Sequence, residues 1–231
     1  MEEQFLRLTT GIPGLDEMLE GGFPYPSTIL LAGQTGTGKS TFSLQFLFEG
    51  AKKGERGIFF TTLSEPTNWM LRFTSSFKFF NKDLLGKEII YFDLGPYLKP
   101  EFPPQDRFET LLRVIEEKII EVMPQRIVID PITVTSLVLK EKYREFLYEL
   151  SHTLKNWQSV TLLTGESTHT SPFPLDPAYT SDGIIVLYNI EVEMGRKRYI
   201  EILKMRGTDH VTGKHLFDIT KNGIIVHQGL R

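Results

Sequence analysis

The 231-residue sequence contains no cysteine, which excludes disulfides, thiolate metal sites and cysteine nucleophiles together. No apolar run approaches the ~20 residues a helix needs to cross a bilayer, so no membrane association is expected. An excess of positive charge is also missing: 26 Lys and Arg stand against 29 Asp and Glu, a net −3. Proteins that neutralise phosphate backbones usually carry the opposite balance, so nucleic acid is not expected as a partner. There is no fixed-period repeat and no low-complexity tract. Residues 1–11 (MEEQFLRLTTG) lack the basic and apolar regions of a secretory signal, and the expected location is the cytoplasm. Core-forming residues are present in ordinary amount. With 40% hydrophobic and 24% charged residues, the composition is that of a globule, and the length suits one domain over 1–231.

Strand-like and helix-like runs alternate along the chain. Apolar runs at 28–32, 57–63, 88–94, 126–130, 159–164 and 184–188 read as buried strands. Helix-like stretches lie between them at 41–53 and 66–80. A third has Phe108, Leu111, Leu112, Ile115, Ile119 and Val122 on one face, and a fourth Tyr143, Phe146, Leu147, Leu150 and Leu154. Toward the end, residues 198–206, 215–219 and 224–227 change to an alternating pattern, with Asn222-Gly223 as a hairpin signal. The pattern predicts an α/β fold: a mostly parallel twisted sheet flanked by helices, with an antiparallel C-terminal extension on one edge. In such sheets ligands bind beyond the carboxyl ends of the strands. The Phe-rich stretch 73–80 is expected to pack against the sheet.

At the end of the first buried strand stands Gly33-Gln34-Thr35-Gly36-Thr37-Gly38-Lys39-Ser40, followed by Thr41. This is G-x-x-x-x-G-K-[ST] complete, between a strand and a helix as the motif requires. The glycines let successive amide hydrogens converge on an anion. The following helix adds free N–H groups and the positive end of its dipole. Lys39 supplies a mobile charge for the β- and γ-phosphates, and the Ser40 hydroxyl can coordinate Mg²⁺. Asp130, ending the run 126–130, can hold the same cation through one of its waters. Glu65, just past the strand 57–63, is the best-placed carboxylate for an attacking water, although a glutamate in the first turn of a helix is also favoured by the dipole alone. Glu166 and Thr164, at a neighbouring strand tip, are candidates for sensing the γ-phosphate.

Beyond the loop, two stretches are distinctive: residues 10–22 (TGIPGLDEMLEGG) and 202–210 (ILKMRGTDH). With 60–66 (FTTLSEP) and 180–187 (TSDGIIVL), they resemble in order the KaiC-like branch of the RecA superfamily of ATPases. The resemblance implies a RecA-like fold, ATP or ADP with Mg²⁺ as ligands, and a hexameric ring with nucleotide between subunits. It further implies that Lys204 and Arg206 reach the neighbour's nucleotide as a cationic finger, with His210 beside them. Two residues apart on a strand, Lys204 and Arg206 share a face. The sequence departs from the family pattern at Ser64, where a first of two glutamates often stands, and at Pro131, where a serine commonly follows the acid. Both departures point to slow hydrolysis. Ala178 and Tyr179 occupy the positions of the phosphorylated Ser/Thr pair of the circadian clock member, so autokinase activity is not expected.

Three functions compete on these grounds. One is a slow Mg-ATPase whose nucleotide state governs ring assembly or the binding of a protein partner. Another is a non-hydrolysing ATP sensor, as in the archaeal motility motor. The third is a RecA-like DNA-repair protein, against which residues 165–182 offer no Lys or Arg.

Overall fold

The computed structural model describes residues 6–63, 67–99, 104–168 and 170–227. A two-stranded ribbon pairs β1 (Arg7–Leu8) with β2 (Phe23–Pro24), and the short helix α1 (Leu15–Met18) lies between them. The main sheet has nine strands. Its parallel part comprises β3 (Ser27–Gly33), β4 (Gly57–Thr61), β5 (Ile89–Asp93), β6 (Arg126–Asp130), β7 (Val160–Glu166) and β8 (Gly183–Val192). The antiparallel part is β9 (Gly195–Met205), β10 (Lys214–Thr220) and β11 (Gly223–His227). Across the sheet the order is β11-β10-β9-β8-β3-β7-β6-β4-β5. The parallel sheet with an antiparallel extension on one edge is the predicted fold class.

The connecting helices are α2 (Lys39–Lys52), α3 (Thr67–Thr74), α4 (Pro104–Val122), α5 (Val134–Leu139), α6 (Tyr143–Asn156) and α7 (Leu175–Thr180). Strand alternation divides the core between the two faces of the sheet. Phe59 of β4 packs with Phe42, Phe46 and Phe48 of α2. Its neighbours Ile58 and Phe60 pack with Leu111, Ile115 and Ile119 of α4 and Phe146 and Leu150 of α6. Residues 12–19, expected only as a family landmark, are core: Ile12, Leu15, Met18 and Leu19 are fully buried on the α2 side.

Several boundaries differ from the sequence reading for local reasons. Helix α2 begins at Lys39 because Gly38, with φ 107°, is the residue that turns the chain into it. The Phe-rich stretch is not one helix. It breaks after Thr74 so that Phe77, Phe79 and Phe80 can pack inward, with Phe48 ring centroids 5.8 Å from Phe79 and 5.3 Å from Phe80, while Phe73 stays exposed. The last hairpin pairs Thr220 with Gly223, so its two loop residues are Lys221 and Asn222. Strands β8 and β9 run longer than their apolar cores, continuing as a half-exposed hairpin to Val192 and Gly195.

One buried ion braces this frame. Arg126, at the start of β6, is 0% exposed. Its Nε pairs with Glu55 at 2.5 Å, and its Nη1 donates to the carbonyls of Thr9 and Phe46 at 2.8 Å each. The guanidinium also lies 4.5 Å from the Phe46 ring centroid. Strand β6, helix α2 and the N-terminal segment are thereby tied at one point.

Candidate nucleotide site

The loop 34–38 leaves β3 at the middle of the sheet, between β7 and β8. Its backbone needs glycine: Gly36 has φ 80° and Gly38 φ 107°, the left-handed region that side chains disfavour. A Cβ on Gly33 would come within 2.6 Å of Thr37 Oγ1 and 2.7 Å of the Leu187 carbonyl. The loop therefore closes tightly on its own strand. The first turn of α2 lies against the carboxyl ends of β6 and β7, where Ser40 bonds Asp130 and Lys39 pairs with Glu166.

Six side chains of the sequence reading converge here: Thr35, Lys39, Ser40, Asp130, Thr164 and Glu166. Ser40 Oγ donates to Asp130 Oδ2 at 2.6 Å. Thr164 Oγ1 donates to the other oxygen of Asp130. Lys39 is nearly buried, and its ammonium donates to the carbonyls of Gly33 (2.8 Å) and Gln34 (3.1 Å) while pairing with Glu166 Oε1 at 2.8 Å. Thr35 Oγ1 donates to Glu166 Oε2 at 3.1 Å. Burial pushes the Asp130 carboxyl above its usual 3.8; the Ser40 and Thr164 hydroxyls and the Lys39 charge oppose this, and Glu166 adds to it. A buried carboxylate with its charge disfavoured, beside a serine hydroxyl, is a hard-oxygen pair suited to a divalent cation.

A cavity of about 370 Å³ opens beside the loop. Lys39, Ser40 and Asp130 form its polar end, and Phe59, Tyr91 and Met70 contribute to its apolar wall. Phe59 and Tyr91 stack at 5.4 Å with an angle of 13° between rings. Ile219 of β10 closes one side, so near Gly38 that a Cβ there would meet its Cδ1 at 2.7 Å. The sequence reading missed these wall residues. Ile219 carries no signal near the motif, because only the sheet order brings a strand some 180 residues downstream onto the loop. Thr62 was also missed; its N–H donates to the Asp130 carbonyl and its hydroxyl to that of Pro131, fixing the end of β4 against β6.

Glu65 and Ser64 lie outside the described residues. Lys204, Arg206 and His210 are described, and they are not at this site. Lys204 Nζ donates to the Ser181 carbonyl at 2.6 Å, and Arg206 pairs with Asp182 at 3.0 Å. Burial and the adjacent Arg206 charge hold the Lys204 ammonium below its usual range, with Asp182 opposing. His210 contacts the Thr208 carbonyl, and Arg7 bonds both the Gly207 carbonyl and Thr208 Oγ1, fixing the turn after Arg206. In register, Met205 pairs with Gly183 and Gly183 with Ile29, four residues before Gly33. This puts the pair ~13 Å back along the sheet and two strands, ~10 Å, across from the loop. An arginine side chain does not span that distance within one chain.

After β6, Lys140, Lys142 and Arg144 stand close in sequence; Lys142 pairs with Glu145 and Arg144 with Asp176.

Comparison with known proteins agrees with this geometry. The family described as "ATPase: KaiC" matches residues 8–231. A UPF0273 protein of Thermotoga maritima is 30% identical over 233 residues, covering 96% of each chain. Another, from Aeropyrum pernix, is 32% identical and covers 96% of this chain and 93% of its own. The circadian clock oscillator protein KaiC of Parathermosynechococcus lividus is 31% identical over 229 residues, and the match spans 93% of this chain but 41% of that protein. Among solved structures, a KaiC-like protein from the archaeon Pyrococcus horikoshii superposes with a TM-score of 0.83 at 35% identity, covering 97% of this chain and all of that one. A phosphate loop is common to many folds, but a match running from residue 8 to the end, at this identity and in this topology, is not. The chain belongs to the KaiC family of ATPases.

Proposed function

We propose that the protein binds ATP with Mg²⁺ and hydrolyses it slowly, and that its nucleotide state governs assembly with further copies of itself or its hold on a protein partner. The observation that carries this reading is the junction of Lys39, Ser40 and Asp130 at the mouth of the loop. Residues 33–38 with Lys39, Ser40 and Thr41 take the phosphates through backbone N–H groups and the Lys39 ammonium. Ser40 and Asp130 hold the cation, whose charge would offset that on the phosphate oxygens. Glu65 accepts a proton from the attacking water. Lys204 and Arg206, with His210 beside them, act on a neighbouring copy's nucleotide; their distance from their own loop supports action in trans. A closed hexameric ring of head-to-tail contacts gives every copy one such neighbour.

A non-hydrolysing sensor is the second reading, favoured by the departures from the family pattern at Ser64 and Pro131. Steady-state phosphate release separates the two. The enzyme reading expects slow release by the wild-type protein, lost in Glu65→Gln while ATP binding persists. Equal silence of both proteins, with ATP still bound, leaves the sensor. Failure of calorimetry to detect any ATP binding removes both.

A further inference from the structure

Glu166, a candidate for sensing the γ-phosphate, is a charged group at the phosphate loop to which the proposed function assigns no role. It is the last residue of β7, aligned with Gly33 of β3, and its N–H donates to Thr133 Oγ1 at 3.3 Å. The backbone is therefore fixed where the loop begins. Its two carboxylate oxygens are divided between two loop donors: Oε1 lies 2.8 Å from Lys39 Nζ, and Oε2 accepts from Thr35 Oγ1 at 3.1 Å. Phosphate oxygens would approach the same two groups in the same way.

An ammonium has three protons. Those of Lys39 are directed at the Gly33 carbonyl, the Gln34 carbonyl and Glu166. A phosphate oxygen gains a proton from Lys39 only by replacing one of these acceptors. The carbonyls belong to the strand end and the loop and cannot leave without unmaking the cradle. The Glu166 side chain is 43% exposed and can rotate into solvent. A polyphosphate beside a retained carboxylate would also be repelled by it.

We infer that Glu166 is an internal competitor for phosphate at Lys39, and that its displacement sets the affinity of the cradle for nucleotides. The inference rests on the nucleotide reading of this same site. The competition is specific to the phosphate tail, because the Glu166 carboxylate is bonded to Lys39 and Thr35, groups that a phosphate would engage. It also has a defined geometry, since a carboxylate that cannot reach both Lys39 and Thr35 competes less well.

The test is calorimetric titration of wild type, Glu166→Gln and Glu166→Asp with ATP, ADP and adenosine in the presence of Mg²⁺. Glu166→Gln removes the charge at constant shape; a half-exposed, charge-assisted contact of this kind predicts about tenfold tighter ATP and ADP. Adenosine, which has no phosphate, binds all three proteins equally. Glu166→Asp keeps the charge but shortens the reach by one methylene, and its ATP affinity falls between the other two. Thermal melts of the three proteins check that the fold is retained. ATP binding that Glu166→Gln leaves unchanged or weakens overturns the inference. So does Glu166→Asp matching wild type, because long-range repulsion would then replace competition for Lys39. If no variant binds ATP at all, the nucleotide reading itself falls; wild-type binding without the Gln effect removes the competitor alone.

Discussion

Replacing Arg126 by Met tests the brace that joins the two site-bearing elements. Arg126 opens β6, whose last residue is Asp130, and its Nη1 holds the Phe46 carbonyl of α2, whose first residues are Lys39 and Ser40. Met fills much of the volume but donates nothing. The carbonyls of Thr9 and Phe46 then lose their charged donor, and Glu55 loses its cation. Removing one partner of a buried ion pair costs about 3–5 kcal/mol. Two features place this case at the lower end: Glu55 is 20% exposed and can turn to water, and Arg126 Nη2 has no hydrogen-bond partner among the described residues. A loss of ~3 kcal/mol corresponds to a fall in Tm of about 6–12 °C for a chain of this size. Reversible thermal unfolding followed by circular dichroism reads it directly. The double variant Arg126→Met with Glu55→Gln divides the loss between ion and carbonyls. If the carbonyls dominate, it recovers less than half. A single variant within ~1 kcal/mol of wild type, or a double variant fully restored, would refute the argument that the forked contact to Thr9 and Phe46 holds the frame.

Three further outcomes are expected. Because the Asp130 carboxyl is raised above its usual 3.8, its contribution to stability is complete below that pH and is lost as pH rises through the folded value. Asp130→Asn should therefore melt above wild type at pH 7 without nucleotide or Mg²⁺, with the gap closing below about pH 4, while Mg²⁺-dependent nucleotide binding is lost; a variant less stable at pH 7 contradicts this sign. Lys39→Ala and Arg206→Ala should each lower phosphate release by at least ~100-fold, since a finger of this kind contributes about 10³–10⁵ in rate. Mixing the two should restore a part, because about one interface in four then joins an intact loop to an intact finger; an inert mixture argues against action between copies. Gly38→Ala forces a side chain into φ 107° and against Ile219 Cδ1 at 2.7 Å, at a cost of roughly 1–2 kcal/mol from the backbone alone. Trimming Ile219 to Ala in the same chain should relieve the contact but not that backbone share, as the two melting temperatures would show.

What could be read from residues alone was whatever is local in the chain. The loop 33–40 is a contiguous motif, and the apolar runs of β4, β6 and β7 end where polar residues take over, so Asp130, Thr164 and Glu166 were identified as strand-tip groups. That Ser40 and Thr164 would hold the two oxygens of Asp130 was not legible, since it depends on β7 lying between β3 and β6. The apolar wall was invisible for the same reason. Phe59, Tyr91, Met70 and Ile219 sit on four different elements, each with an adequate explanation as core. Residues 12–19 were legible only as a family landmark; the structure adds that they act as packing. Gly14, with φ 83°, lies so close to the Val226 carbonyl that a Cβ would meet it at 2.1 Å, so its glycine is required by the contact with β11 rather than by a ligand.

The Lys204–Arg206 pair shows how register can give a spacing its meaning. Two cations at alternate positions of a strand are, by themselves, ordinary solvated charges. In the sheet, β9 runs against β8, so its carboxyl end returns to the amino end of the parallel strands. Any cationic pair placed there faces away from its own phosphate loop, whatever its rotamers. Asp182 and the Ser181 carbonyl meanwhile hold the two side chains together, and Arg7 fixes the turn that follows. An arrangement built with this much internal support, at the end of the sheet that cannot use it, makes chemical sense when a second copy presents its loop.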